Sequence, residues 1–362
     1  MASLVRVAAV FVVLLFSLTS AQKERRVVLG VDYYPEQWPQ EEMRADMVAI
    51  KDDLGADIVR MGEFMWHELE PKDGVFNWTK LDTILDLADE VGLQVMLGTP
   101  TATMPAWLHK AHPEVMHKGP DSPDGYAGAV AGFGGRRQYS FNSDTYLRYA
   151  KRIVNEMVER YGGRETVTHW QVDNEIAHEG SDLDFSDAAL DDWRVYLATK
   201  YGEDGIGKLN ADWGTAFWSV TYNEYDEIPL PAWTVPGSPA HSNEEFRSNV
   251  SPGMLLDYRR FRRDSVTAFA REQVVLMREA GIDGGITTNA PGGFWGKAID
   301  HNDIFNSMDM VAYDNYPVWG GSLAPDSPSL VAMTLDTVRG WAPNPNSTGW
   351  MVAEQLIGAQ GH

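Results

Sequence analysis

HWQVDNEIAHEG, residues 169–180, begins as an apolar, strand-like run and ends in a cluster of polar residues. Asp173, Asn174 and Glu175 follow the apolar part directly, although strands usually avoid Asp and Asn. With the two preceding residues, Val167 and Thr168, the segment predicts a buried strand over residues 167–175. That strand would deliver an amide and a carboxylate to its carboxyl end.

Similar apolar runs recur along the chain, with helical patterns between them. Runs rich in Val, Ile and Leu predict further strands over residues 26–34, 56–64, 93–100, 284–291, 308–317 and 349–355. Apolar residues at helical spacing predict helices over residues 39–54, 80–92, 143–163, 186–201 and 253–280. Residues 202–252 are interpreted as rich in loops. Strands that alternate with helices imply a parallel sheet.

The ends of the predicted strands favour a closed barrel over an open sheet. The first strand lacks the Gly-rich phosphate-binding pattern of dinucleotide-binding sheets. Polar residues instead stand near the carboxyl ends of most strands: Glu63, Thr99, Glu175, Asn289, Asp314 and Glu354. A (β/α)8 TIM barrel builds its active site from those ends, so this α/β fold class is predicted. Seven strands are counted, and the eighth is expected to be missing from this sequence.

Composition narrows the classes of function. The chain has 362 residues, of which 44% are hydrophobic, no cysteine, and a net charge of −22. The negative charge argues against nucleic acid as a partner, since binding the phosphate backbone needs excess Lys and Arg. A chain without cysteine has neither a thiolate zinc site nor a thiol nucleophile. His109, His112 and His117 lack metal-binding spacing, so no metal or cofactor is expected.

The N-terminus has the pattern of a secretory signal peptide. Arg6 is followed by an apolar run over residues 7–18 and by small residues at 19–21. We therefore expect a signal peptide over residues 1–21 and a single catalytic domain over residues 22–362. The mature protein would be secreted or extracytoplasmic without a stable membrane anchor; the alternative is an uncleaved anchor.

Two carboxylates at strand ends suggest hydrolysis of a glycosidic bond. Glu175 ends the fourth predicted strand and Glu354 the seventh, and such chemistry needs one acid and one nucleophile or base. Asn174 can hydrogen-bond a sugar 2-hydroxyl. Arg60 lies inside an apolar strand and therefore needs a partner. A carboxylate nucleophile would be held ionised there, whereas the acid would stay protonated for lack of an arginine. The alternative is that Arg60 pairs with a structural Glu or Asp.

Seven motifs taken in order resemble glycoside hydrolase family 42, the β-galactosidases of the large barrel clan. They are GVDYYPEQWP, DIVRMGEFMWHELEPKDGVFNW, TPTATMPAWL, FGGRRQYSFNS, WQVDNE, YDNYP and MVAEQ. Each motif alone is modest, but seven in this order are very specific. The resemblance runs from about residue 30 to the end of the sequence.

The resemblance implies a retaining mechanism and assigns roles to six residues. Glu175 matches the general acid/base and Glu354 the nucleophile. The resemblance further implies substrate-positioning or substrate-binding roles for Asn174, Arg60, Arg136 and Tyr316.

Three departures from the family pattern accompany the resemblance. Family members continue past the nucleophile into an eighth strand, a trimerisation domain and a small β-domain, so the catalytic domain is expected to be incomplete at its C-terminus. The family's homotrimer is implied, but the segment that carries it is absent from this sequence. The cysteine-bound metal site of some members cannot form, and a signal peptide is unusual among them.

The leading hypothesis is a retaining exo-glycosidase that removes terminal β-D-galactose from oligosaccharides or galactans. The alternatives are a truncated, catalytically inactive relative that binds glycans, and a barrel glycosidase of different specificity. That specificity could be for α-L-arabinopyranosides, for β-fucosides, or for positions inside polysaccharides.

Overall fold

The computed structural model describes residues 28–118, 133–178, 180–231, 251–292, 297–317 and 326–342, and the backbone of residues 350–355. The signal peptide predicted for residues 1–21 lies outside these ranges. Within them, no helix combines the length and the apolar character that crossing a bilayer requires.

Eight short strands pair in parallel and form two sheets. The first sheet has the order β1 (Gly30–Asp32), β2 (Ile58–Met61), β3 (Gln94–Gly98), β4 (Val167–Gln171) and β5 (Ile286–Thr287). The second has the order β6 (Asn289–Ala290), β7 (Val311–Asn315) and β8 (Trp350–Gln355). Each strand lies beside the next one along the chain within its sheet, which is the strand order of a (β/α)8 barrel.

All seven predicted strands are found, but the fifth is divided. Its two halves, β5 and β6, are separated by Thr288; β5 pairs with β4 and β6 pairs with β7. The predicted seventh strand is β8, in which the backbone of Glu354 pairs in register with Asp314. The expectation about an eighth barrel strand concerns the chain after residue 355, outside the described residues.

Helices follow most of the strands. Those that connect one predicted strand to the next include α1 (Gln40–Val48), α3 (Thr79–Val91), α5 (Asp144–Tyr161), α8 (Pro252–Glu279) and α10 (Pro328–Gly340). Shorter or additional helices are α2 (Trp66–Leu69), α4 (Ala106–Ala111), α6 (Asp187–Tyr201), α7 (Ile206–Trp213) and α9 (His301–Phe305).

Serine side chains begin several of these helices. Ser143 accepts a hydrogen bond from the backbone N–H of Tyr146 and so caps the first turn of α5. Ser186 caps α6 in the same way through Ala189. Each such cap stabilises its helix by about 1 kcal/mol.

The structure alters the end of the first predicted helix and contains helices that the sequence did not predict. Residues 49–53, predicted as the end of the first helix, form a π-helical turn after α1. Residues 206–213, predicted as loop, form α7 despite containing Gly, Asn and Asp. Tertiary packing overrides weak local preference there, because Leu209 and Trp213 of α7 are buried in a hydrophobic cluster.

The buried residues form two hydrophobic clusters. The larger one joins the strands of both sheets to α1, α3, α5 and the second half of α8. The smaller one packs α6 and α7 against the first turns of α8. At its centre the Trp193 ring is fully buried, stacks on Trp213 with centroids 6.0 Å apart, and meets Tyr258 edge-on. This second core supports the segment that follows the end of β4.

Candidate active site

The chain turns sharply just beyond β4, at the residues singled out by the sequence. Asp173 and Glu175 adopt left-handed backbone conformations, with φ of 57° and 45°. Residues other than glycine rarely do so, at a cost of about 1–3 kcal/mol each, and such positions cluster at functional sites. Gln171 holds the turn by donating from Nε2 to the Asp173 carbonyl (2.9 Å).

Glu175 is a buried carboxylate between two arginines. Its Oε2 lies 3.0 Å from Nη1 of Arg137 and 3.3 Å from Nη1 of Arg136. The Glu175 side chain is 5% exposed, that of Arg137 1% and that of Arg136 36%. The expectation that the acid lacks an arginine neighbour was therefore wrong, because the loop that carries both arginines folds over the end of β4.

Asn174 and Asn289 form a buried amide pair beside Glu175. Asn289 donates from Nδ2 to Oδ1 of Asn174 (3.0 Å) and to Oδ2 of Asp314 (2.7 Å), and its Oδ1 accepts from the backbone N–H of Glu175 (2.9 Å). All four residues are less than 5% exposed. The carboxyl ends of β4 and β7 are thus tied together through the first residue of β6.

Asp173 stabilises the turn through three hydrogen bonds to its carboxylate. Its carboxylate accepts from Thr101 Oγ1 (2.5 Å), from the Tyr139 hydroxyl (2.8 Å) and from the backbone N–H of Asn174 (2.7 Å). Complete burial raises the pKa of the Asp173 carboxyl above its usual range, and these donors oppose the rise. These hydrogen bonds connect the turn that carries Asn174 and Glu175 to the end of β3, through Thr101, and to the loop of Arg136 and Arg137, through Tyr139. We call this loop the arginine loop.

Arg60 forms a second cluster of charged residues, with Asp32 and Glu63, next to that of Glu175 and its two arginines. Its Nε lies 3.1 Å from Asp32 Oδ1 and 3.1 Å from Glu63 Oε1. Its Nη1 donates to Gln171 Oε1 (3.3 Å), which links it to the turn after β4. Among the described residues Arg60 therefore pairs with Asp32 of β1 and with Glu63, two residues after the end of β2. The partner predicted for Arg60, the side chain of Glu354, lies outside the described part of the chain.

The remaining two predicted residues lie at the ends of the last two strands. Tyr316 follows β7, and its ring packs over Gly292: a Cβ added there would lie 3.2 Å from the ring. The backbone of Glu354 lies in β8, beside β7. The structure thus brings Asn174, Glu175 and Arg136 into direct contact and connects Arg60 to them through Gln171.

Comparison with known proteins decides the family. The model of glycoside hydrolase family 42, described as β-galactosidase, matches residues 32–361. The chain belongs to glycoside hydrolase family 42.

Curated relatives and solved structures of this kind agree with the match. β-Galactosidase Bga of Halorubrum lacusprofundi is 37% identical over 338 residues, 90% of this chain and 45% of the relative. β-Galactosidase BgaA of a Thermus species is 38% identical over 355 residues, 90% of this chain and 52% of the relative. The β-galactosidase structure from the psychrophilic Marinomonas ef1 superposes with a TM-score of 0.77 at 34% identity, over 91% of this chain and 48% of that chain.

These comparisons confirm the family resemblance and the (β/α)8 fold class. The chain spans about half the length of the curated relatives it matches.

Three residues of this family 42 site were missed by the sequence analysis. Arg137, for which the sequence predicted no role, contacts Glu175 more closely than the predicted Arg136 does. Asp173 was quoted within the motif but given no role. Asn289 was noted only as a polar strand end, and its contacts with residues more than 100 positions away leave no local signal.

Proposed function

We propose that this chain is the catalytic barrel of a retaining β-galactosidase that releases terminal, non-reducing β-D-galactose from oligosaccharides or galactans. Membership of family 42 and the names of the curated relatives support the activity. One observation in the structure carries it: the buried carboxylate of Glu175 directly follows the buried amide of Asn174 just beyond the end of β4, in a turn with left-handed backbone at Asp173 and Glu175.

Hydrolysis proceeds by double displacement in this proposal. Glu175 protonates the glycosidic oxygen while the carboxylate of Glu354 attacks the anomeric carbon, which breaks the bond to the leaving group and forms a glycosyl ester. Glu175, now ionised, takes a proton from water as that water attacks the anomeric carbon. The ester bond breaks, and both carboxyl groups return to their starting states.

Arg137 and Arg136 have different roles in this mechanism. Arg137 is buried and donates to both the Asn174 carbonyl and Glu175, so it fixes the position of the acid/base. Arg136 is the more exposed of the two, with 36% of its side chain accessible, and the proposal assigns it to a substrate hydroxyl. The Arg60 group and Tyr316 contribute to binding the sugar.

The nucleophile is tested by Glu354→Ala with azide. The variant should lose turnover of 4-nitrophenyl β-D-galactoside, and azide should restore it as the inverted α-galactosyl azide, identified by NMR. Glu279→Ala, which removes an exposed carboxylate at the end of α8, is the matched control and should keep wild-type activity. Wild-type turnover by Glu354→Ala without azide would refute the assignment of Glu354 as the nucleophile.

The substrate is tested by comparing three aryl glycosides: the β-D-galactoside, the α-L-arabinopyranoside and the β-D-fucoside. The proposal expects the highest kcat/KM for the galactoside. A higher value for either other sugar would change the specificity and leave the mechanism intact. Folded protein that binds galactosides but hydrolyses none of the three would favour a glycan-binding role and refute the activity.

Export is a separate part of the proposal, supported by the sequence of residues 1–21. Expression in a secreting host should yield protein outside the cytoplasm with Gln22 at its N-terminus, measured by mass spectrometry of the intact chain. Protein that remains in the cytoplasm with residues 1–21 attached would contradict it.

A further inference from the structure

Asn289 bridges three groups at the carboxyl ends of β4 and β7. It accepts from the Glu175 N–H and donates to the side chains of Asn174 and Asp314, at 2.9, 3.0 and 2.7 Å. Asn289 is 1% exposed, so water does not compete for these bonds. Its position at the break between β5 and β6 lets its side chain reach both neighbouring strands.

The backbone N–H of Glu175 sets the direction of the whole chain of hydrogen bonds. A backbone N–H can only donate, so the atom of Asn289 that faces it is the oxygen. The amide nitrogen of Asn289 then faces Asn174 and the Asp314 carboxylate, both of which must accept. Asn174 consequently turns its own oxygen toward Asn289.

The nitrogen of Asn174 is left as a donor. Asn174 is 1% exposed, and its Nδ2 has no hydrogen-bond partner within the described ranges. Its Oδ1 accepts from Asn289 and lies 3.5 Å from Gln171 Nε2. A buried N–H without a partner is costly, and such a group beside a carboxylate of this kind is available to a ligand.

We infer that Asn289 is a positioning residue that fixes Asn174 as a hydrogen-bond donor toward the oxygen at the 2-position of the bound sugar. The inference rests on the proposed function and adds a specificity role to it. The site would select glycosides that carry an acceptor oxygen at that position. Asn289 acts through Asn174 and does not itself touch the sugar.

Asn289→Asp tests this, because an aspartate keeps the shape and still accepts from the Glu175 N–H but donates nothing to Asn174. The measured quantity is the ratio of kcat/KM for 4-nitrophenyl β-D-galactoside to that for its 2-deoxy analogue. The wild type should show a large ratio, and the variant should lower it by about tenfold, the typical effect of one hydrogen bond. An equal loss on both substrates, which leaves the ratio unchanged, would overturn the inference.

Two further variants separate positioning from general damage. Asn289→Ala adds no charge beside Asp314, so it serves if the aspartate variant does not fold, and it should also lower the ratio. Asn142→Asp is the matched control, because Asn142 is another buried asparagine that bridges an arginine and an aspartate, Arg262 and Asp192. It should lower stability but keep the wild-type ratio, and a fall in its ratio equal to that of Asn289→Asp would count against the inference.

The outcome also distinguishes this inference from the proposed function. If the wild type hydrolyses neither glycoside, the proposed function fails. If the wild type hydrolyses the galactoside and both Asn289 variants keep its ratio, the proposed function stands and the role of Asn289 fails.

Discussion

The two arginines on Glu175 should differ sharply in their effect on stability. Arg137 is almost completely buried, and its Nη1 donates to the Asn174 carbonyl (3.2 Å) and to Glu175 Oε2 (3.0 Å). Arg136 makes its ion pair with the same oxygen at 3.3 Å from a side chain that is 36% exposed. Arg137→Met and Arg136→Met remove the same charge from neighbouring positions.

The expected magnitudes follow from burial. Hydrogen bonds from a charged donor contribute about 1.5–3 kcal/mol each, and removing one partner of a buried ion pair costs about 3–5 kcal/mol. An ion pair with an exposed partner contributes about 0–1 kcal/mol because solvent screens it. Arg137→Met should therefore lower the free energy of unfolding by roughly 3 kcal/mol more than Arg136→Met.

Urea denaturation of both variants and the wild type measures this difference. At this chain length, about 3 kcal/mol corresponds to a gap of roughly 4 °C between the two melting temperatures. Arg136→Met should keep near-native stability, because its side chain is 36% exposed, but should raise KM for the galactoside, because the proposed function assigns it to a substrate hydroxyl. Equal destabilisation by the two substitutions would refute the assignment of Arg137 as the structural member of the pair.

Two further predictions concern parts of the fold outside the arginine pair. Burial raises the pKa of Glu36 from 4.5 to about 7. Between pH 4.5 and about 7 the folded state therefore binds more protons than the unfolded state. The protein loses up to about 3 kcal/mol of stability as the pH rises through this interval. Glu36→Gln should gain stability relative to the wild type at pH 8 but not at pH 4, in urea titrations; the same difference at both pH values would contradict this. Trp193→Ala should cost about 4 kcal/mol by emptying the smaller core, and a loss below about 1 kcal/mol would show that this core relaxes around the cavity.

Local sequence patterns predicted the strands, most of the long helices and the position of the site. The run before Val172 predicted β4, because β-branched and aromatic residues in a short apolar stretch favour a strand. The helices predicted over residues 80–92 and 143–163 are found at Thr79–Val91 and Asp144–Tyr161, within two residues at each end. Glu175 and Asn174 stood out because strands rarely end in such side chains.

The features that escaped prediction depend on contacts distant in sequence. The hydrogen bond from the Glu175 N–H to Asn289 spans 114 positions, and that from Gln273 to Thr101 spans 172. The arginine loop reaches Glu175 only through the folded turn after β4, so the charge around the acid was misjudged. α7 forms because its Leu209 and Trp213 are buried against other helices, and its composition alone did not indicate it.

The central claim, that Glu175 is the acid/base of a retaining galactosidase, is tested most directly with Glu175→Ala and 2,4-dinitrophenyl β-D-galactoside. This leaving group needs no proton, so the galactosyl-enzyme should still form and should then accumulate because no base activates water. Azide should accelerate turnover and yield β-galactosyl azide, with the configuration of the substrate retained. Formation of the α-azide, or no response to azide in a variant with wild-type turnover, would contradict the account.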